Sequence, residues 1–563
     1  MTYDLKITGG TIIDGTGSAG VIGDVGIRDG QVVALGDAPD DATTTIDARG
    51  RVVTPGFVDI HTHYDAQVLW DRMVTVSPWH GVTTVVMGNC GFGVAPTRVE
   101  HRDLIVRTLE KVEGMSAAAL WAGLGDEWPF ETFPQYLDAV EAGGSVVNVA
   151  AMIGHTPLRL YVMGPDATER EATADEVAQM RGLVAEAVAA GAVGFATSKS
   201  DTHVGYEGRP VPSRAADFAE ILEVAGALGD AGTGVIQATI GRGFTFEQFA
   251  ELSGTTGRPI SWTALLAGAG GPGVTDYLLA ESIKLRDQGL PVYPQVSCRP
   301  LNFEFTMAEP FPFESMKLFG PISAAADIAT KSAVYRDPAF RQAFAEKMAS
   351  GSAGALGGSW DRTVVSWFPP DPSLEGQTVA ALAGERGVDP TDLVLDLALD
   401  ADLGARFRMA VLNYDDDAVE TLLTDPHTML GLSDAGAHAS QLCDSCFSTH
   451  LLSHWVRDRK ALSLEEAVRK LTSEPADVFG ITDRGRLAVG RPADVVVFDP
   501  ETVGCSDLRR VSDQPAGADR LVADAVGIDA VIVNGVLIRR DGVDTIGASD
   551  AVPGRLLRNG SAG

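Results

Sequence analysis

Eight short apolar runs alternate with amphipathic stretches through the middle of this chain, and that rhythm limits the fold more than any other feature. The runs are GFVDIHTH, VTTVVMGNC, SVVNVAAMIGH, GAVGFATSK, GVIQAT, PISWTALL, PVYPQVSC and HTMLGLSD, separated by helix-like segments such as TADEVAQMRGLVAEAVAA and RAADFAEILEVAGALGD. Near-continuous hydrophobic strands are what a parallel sheet buried on both faces needs, and its crossovers are helices. Eight strand-helix units predict an α/β fold, a (β/α)8 TIM-like barrel over residues 56–484, with functional side chains at the carboxyl ends of the strands.

The two ends of the chain are written in another style. DLKITGGTIIDGTG and VGIRDGQVVALG near the start, and GRLAVGRPADVVVFDP and IDAVIVNGVLIRRDG near the end, are short β-rich runs cut by turn residues, with an Asn-Gly hairpin signal at Asn534 and Gly535. They predict a small composite β-sandwich domain assembled from residues 1–55 and 485–563. One gap breaks the barrel rhythm: from about 299 to 425 the chain runs far beyond a normal crossover. It reads as a lid-like insertion over the barrel mouth, with a passive surface excursion as the other reading.

Composition excludes some classes of function. The 44 basic against 76 acidic residues give a formal charge of −32, which repels nucleic-acid phosphates and anionic lipid headgroups. The start of the chain lacks a cationic stretch followed by an apolar core, and no later run reaches the roughly 18 apolar residues of a membrane helix. Five scattered cysteines, an odd count, do not make a disulfide framework. A cytoplasmic protein with a small-molecule substrate is expected.

His61 and His63 close the first apolar run. Residues i and i+2 of a strand share a face, so both imidazoles point together into the barrel mouth, just after Asp59. Such a pair occurs by chance, but at the end of a barrel strand it reads as half of a metal site. Cys90 in GNCG ends the second strand, where it is either a zinc ligand or a small buried residue between glycines. Asp434 in GLSDAGAH ends the last strand, as an acid/base or as a helix N-cap.

These motifs, with GHTPLR from Gly154, LAGERGVDPTDLVLDLAL, and the closing GRPADVVVFDP and PAGADRLVADAVGIDAVIVNG, resemble the amidohydrolase superfamily, and within it the N-acyl-D-amino-acid deacylases, along almost the whole chain. The resemblance implies one or two divalent metals, usually zinc, at the strand ends, and an aspartate acid/base that matches Asp434. It implies Cys90 as a zinc ligand. The deacylases add two metal histidines from the fifth and sixth strands, but GVIQATIGRG and PISWTALLAG hold none. His61, His63, Cys90 and Asp434 remain as an N2SO ligand set.

Further candidates stand near the other strand ends. Lys199 ends the fourth strand, where some amidohydrolases carry a carboxylated lysine bridging two metals; it could equally neutralise a substrate carboxylate or simply face solvent. His155 and His203 could reach the mouth and complete a site or hydrogen-bond a carbonyl oxygen, with structural roles as the alternative, and His438 could orient the Asp434 carboxylate or touch substrate. Arg242 and Arg299 follow the fifth and seventh strands and could grip a carboxylate bidentately. His80, His101, His427, His450 and His454 read as structural. The expected activity is metal-dependent hydrolysis of an amide C–N bond in a small molecule. The alternatives are opening of a cyclic amide or imide, as in hydantoinases and dihydroorotases, or a metal-free relative that only binds ligand. The resemblance also carries the expectation of a homo-oligomer.

Overall fold

The computed structural model describes residues 2–314, 316–350 and 359–562. Its centre is one eight-stranded parallel sheet whose strands neighbour one another in chain order. These strands, all buried at most positions, are β1 (Phe57–Asp59), β2 (Val82–Met87), β3 (Asn148–Gly154), β4 (Gly194–Ser198), β5 (Val235–Thr239), β6 (Ile260–Thr263), β7 (Val292–Val296) and β8 (Met429–Leu430). The sheet closes where Thr62 bridges Ala435 in parallel and the His63 amide donates to the Ala435 carbonyl at 2.8 Å. That closure brings the ends of β1 and β8 side by side, and so brings the His-x-His motif to Asp434.

The crossover helices show why the amphipathic stretches take up their places. Helix Ala174–Ala190 starts at a reciprocal capping box between Thr173 and Glu176 and stops at Gly191, whose φ of 115° fits a left-handed cap. Helix Phe246–Thr256 is capped in the same way by Thr245 and Gln248. Its Phe246 and Phe249 pack on the fully buried Trp262 of β6, with ring centroids 5.7 and 6.4 Å away. The Trp262 indole is satisfied at 3.0 Å by Ser282 of the next helix, as a buried N–H must be.

Both ends of the chain meet in a nine-stranded mixed sheet, in which Val52–Pro55 pairs antiparallel with Val495–Phe498. The last residues leave it and run along the barrel, where the Leu557 amide donates to the Val149 carbonyl at 2.7 Å. The stretch between Val495–Phe498 and Ile528–Val533 also departs from the sheet. It forms two short nested antiparallel ladders, and the Leu521 amide reaches the Ala439 carbonyl near the barrel mouth.

The long gap holds a folded unit with a core of its own. Strands Leu301–Thr306, Thr363–Trp367 and Arg406–Leu412 make a three-stranded antiparallel sheet. It packs with helices around Phe313, Phe319, Phe344 and Phe407, all fully buried. Residues 315 and 351–358 of the expected insertion lie outside the described residues. No helix among the described residues is long and apolar enough to cross a membrane.

Candidate metal centre

β1 and β2 end at the same level of the barrel, and the segments just past them carry the first three donors. His61 and His63 hold their rings 5.3 Å apart. A nitrogen of each and the Cys90 sulfur lie within 4.8 Å of one another, all buried. His61 Nε2 is 3.5 Å from Cys90 Sγ and 3.1 Å from Asp434 Oδ1, and His63 Nε2 is 3.7 Å from that same oxygen. The histidine side chains are 1% and 5% exposed, whereas Asp434 at 28% faces the mouth.

Partners behind the histidines fix the aim of both rings. His61 Nδ1 meets Gln295 Oε1 of β7 at 2.7 Å. A carboxamide oxygen only accepts, so Nδ1 carries the hydrogen and Nε2 is turned inward as the donor atom. Gln295 is held in turn, its amide donating to Ser261 Oγ at 2.8 Å. His63 Nδ1 lies 3.3 Å from Glu113 Oε1, on a buried glutamate at the end of helix Arg102–Val112. Sequence reading missed both partners. Glutamine in an otherwise apolar barrel strand was a legible signal, because an unbonded carboxamide in a core is costly.

The backbone is strained where it presents these groups. Cys90, Asp434 and His438 have φ of 55°, 46° and 47°, left-handed conformations that cost a non-glycine residue about 1–3 kcal/mol each. Cys90 is followed by Gly91, whose hydrogen faces the chain of β4: a Cβ there would come within 2.9 Å of the Thr197 Cα.

Charge is matched inside the cluster. Burial works to raise the Cys90 thiol, but His61 and His63 outweigh it and hold the thiol well below its ordinary value. Burial opposes ionisation of Asp434 too, and the same histidines keep its carboxyl below the usual carboxylate range. Burial alone would lower His61 and His63; Cys90, Asp434 and, at His63, Glu113 raise them instead. Two anionic donors facing two imidazoles in a dry pocket suit a divalent cation, and the N2SO set suits zinc in particular.

Beyond Cys90 the wall is neutral. Gln237 of β5 accepts from the Cys90 amide at 2.6 Å and donates to Thr263 Oγ1 of β6 at 3.3 Å, and Thr263 donates to Thr239 at 3.1 Å. No further anionic or imidazole donor comes from these two strands; among the described residues the donors that all approach one another are His61, His63 and Cys90, with Asp434 beside the two histidines.

Three of the sequence candidates are corrected by their contacts. Lys199 does not reach the cluster, because its Nζ donates to the carbonyls of Arg214 and Ala216 at 2.6 and 2.5 Å. His155 is fully buried with both ring nitrogens engaged, by Thr197 at 2.8 Å and Glu220 at 2.9 Å, and Glu220 also pairs with the buried Arg159. Arg299 is buried, with its Nε paired to Asp444 at 2.8 Å. Arg242 stands exposed in the turn after β5. His203 keeps one ring nitrogen on Ser198 Oγ at 2.7 Å and packs at a tilt of 56° against Phe92, centroids 5.1 Å apart, close enough to the cluster to feel the charges of Cys90, His63 and Asp434. His438 lines the mouth; burial lowers its imidazole to about 4, so it is neutral at pH 7.

The amidohydrolase family model matches residues 44–355 and 364–539. The chain belongs to the amidohydrolase family. This amidohydrolase is 32% identical to the D-aminoacylase of Alcaligenes xylosoxydans xylosoxydans, over 95% of its own length and 94% of that protein. It is also 32% identical to the N-acyl-D-glutamate deacylase of the same organism, over 95% and 93%. Its fold matches the crystal structure of the N-acyl-D-glutamate deacylase from Bordetella bronchiseptica, complexed with zinc and a phosphonate mimic of the tetrahedral intermediate. There the TM-score is 0.66 and the identity 28%, across 99% of this chain and all of that one.

Proposed function

We propose that this amidohydrolase removes the acyl group from an N-acyl-D-amino acid, using one divalent metal, zinc, held by His61, His63, Cys90 and Asp434. The observation that carries the reading is the approach of His61, His63 and the Cys90 sulfur to one another, with an Asp434 oxygen beside both Nε2 atoms and both imidazoles fixed from behind. A zinc ion bound there supplies Lewis acidity and a readily deprotonated water.

The protein's own groups do the rest. Asp434 turns Oδ1 toward the histidines and leaves Oδ2 to take a proton from water and return it to the departing nitrogen. The neighbouring histidines keep its carboxyl ionised. His203 is suited to donate a hydrogen bond to the substrate carbonyl from the nitrogen that Ser198 does not occupy. With Lys199 and Arg299 tied elsewhere, Arg242 is the cation assigned to the substrate carboxylate. The folded insertion is assigned the part of a lid that limits water at the mouth.

A ring-opening reading is favoured by one observation, the loss of Arg299 and Lys199 as carboxylate grips. A direct assay separates the two: zinc-loaded protein is given N-acetyl-D-methionine, its L enantiomer and a 5-substituted hydantoin, and free amine and ring-opened acid are quantified. Release of D-methionine with a marked preference over L is expected. Opening of the hydantoin without deacylation of any N-acyl-D-amino acid contradicts the proposal.

A further inference from the structure

Identity alone does not choose the amino acid: relatives equally similar to this chain are a D-aminoacylase and an N-acyl-D-glutamate deacylase. The electrostatics of the barrel mouth do. Between the barrel and the insertion lies a chamber of about 1060 Å³ that meets the site through Gly436 and His438, on the loop following Asp434. Trp70, Met115, Phe305, Phe311 and Trp367 give it broad apolar walls.

Its charged lining is one-sided. Glu304 and Asp519 are balanced by Arg406, at 3.5 and 3.6 Å, and by Arg510, which contacts both. Glu110, Glu309, Glu314 and Asp402 also line the chamber, exposed, with no ion pair among the described residues, and Lys111 is the remaining cation of the lining. With Arg510, which stands behind the lining, counted against Glu304 and Asp519, the surplus is three negative charges.

Resting on the deacylase reading above, we propose that the chamber seats the side chain of the substrate's amino acid and that its surplus charge restricts that side chain to neutral, apolar or cationic groups, excluding glutamate and aspartate. For scale, a unit charge about 10 Å away in water changes the local concentration of an anionic group by about twofold, so three acting together give about eightfold before screening. Exposed charges are screened by salt, so the discrimination should weaken as ionic strength rises.

The experiment compares kcat/KM of the zinc-loaded enzyme for N-acetyl-D-glutamine and N-acetyl-D-glutamate, which differ in charge and hardly in shape. It is run at low and high salt, for wild type and for the double variant Glu309→Lys/Glu314→Lys. A ratio from one preparation cancels any loss of folded protein. The expected result is a preference for glutamine of about five- to tenfold in wild type at low salt, shrinking in high salt and in the variant. A ratio near one, or a preference for glutamate, overturns the inference while leaving the deacylase reading intact. So does a preference that neither salt nor charge reversal moves. If no N-acetyl-D-amino acid is turned over, the deacylase reading falls and takes this inference with it.

Discussion

Replacing Gln295 by leucine tests how the first histidine is aimed. The side chains are similar in volume, so the barrel core keeps its packing, but the 2.7 Å acceptor behind His61 Nδ1 disappears and Ser261 loses its donor. A buried N–H left without a partner costs about 1–3 kcal/mol. The ring is then free to turn Nε2 away from Cys90 and Asp434. Loss of such a partner behind a metal-binding imidazole typically weakens metal affinity about 10- to 100-fold. Zinc affinity is measured by competition with a chromophoric chelator, with a calorimetric melt to establish folding. Gln295→Glu, which keeps an acceptor at the same place, should retain more of the affinity than the leucine variant. A leucine variant that melts as a folded protein and binds zinc as tightly as wild type would refute the reasoning.

Three further outcomes are expected. Asp434→Asn keeps an oxygen near the histidines but loses the base, so kcat should fall about 10²- to 10⁴-fold, measured as turnover per bound zinc. Although burial opposes it, the His155 hydrogen bond and the Arg159 charge hold the Glu220 carboxyl at about 2 against an ordinary 4.5. This group's contribution, about 3 kcal/mol, is therefore complete above pH 4.5 and lost as pH falls toward 2. Urea unfolding of Glu220→Gln should show a weaker pH dependence in that window, and an unchanged slope would count against the pairing. In the insertion, Phe407→Ala removes a fully buried ring from its separate core and should destabilise that unit by about 3–5 kcal/mol, read as an early calorimetric transition or a protease-sensitive segment at 301–412.

Much of the architecture was legible because parallel barrel strands must be apolar on both faces, so each of the eight runs stood out from its flanking helices. The meeting of His61, His63, Cys90 and Asp434 at one end of the barrel was legible for a related reason: polar residues just past the ends of such strands have few structural uses there. For Lys199, His155 and Arg299 the sequence left functional and structural readings open, because their partners come from tertiary contacts that no local pattern announces. Arg299 meets Asp444 across the site's rim, and His155 meets Glu220 and Thr197 from two different elements. Glu113 was missed because it lies on a helix end, where a glutamate is unremarked, and only the fold sets it against His63. The insertion's core was hidden in its length: aromatic residues scattered between Phe305 and Phe407 carry no single period, since they come from helices and strands in turn.

The central claim, a single metal held by a reduced donor set, is tested most directly by elemental mass spectrometry of purified protein equilibrated with zinc, with His61→Ala and Cys90→Ala alongside. About one zinc per folded chain in wild type, with both variants losing it, is the expected result. Wild type that holds no stoichiometric metal, or variants that keep it fully, would contradict the account.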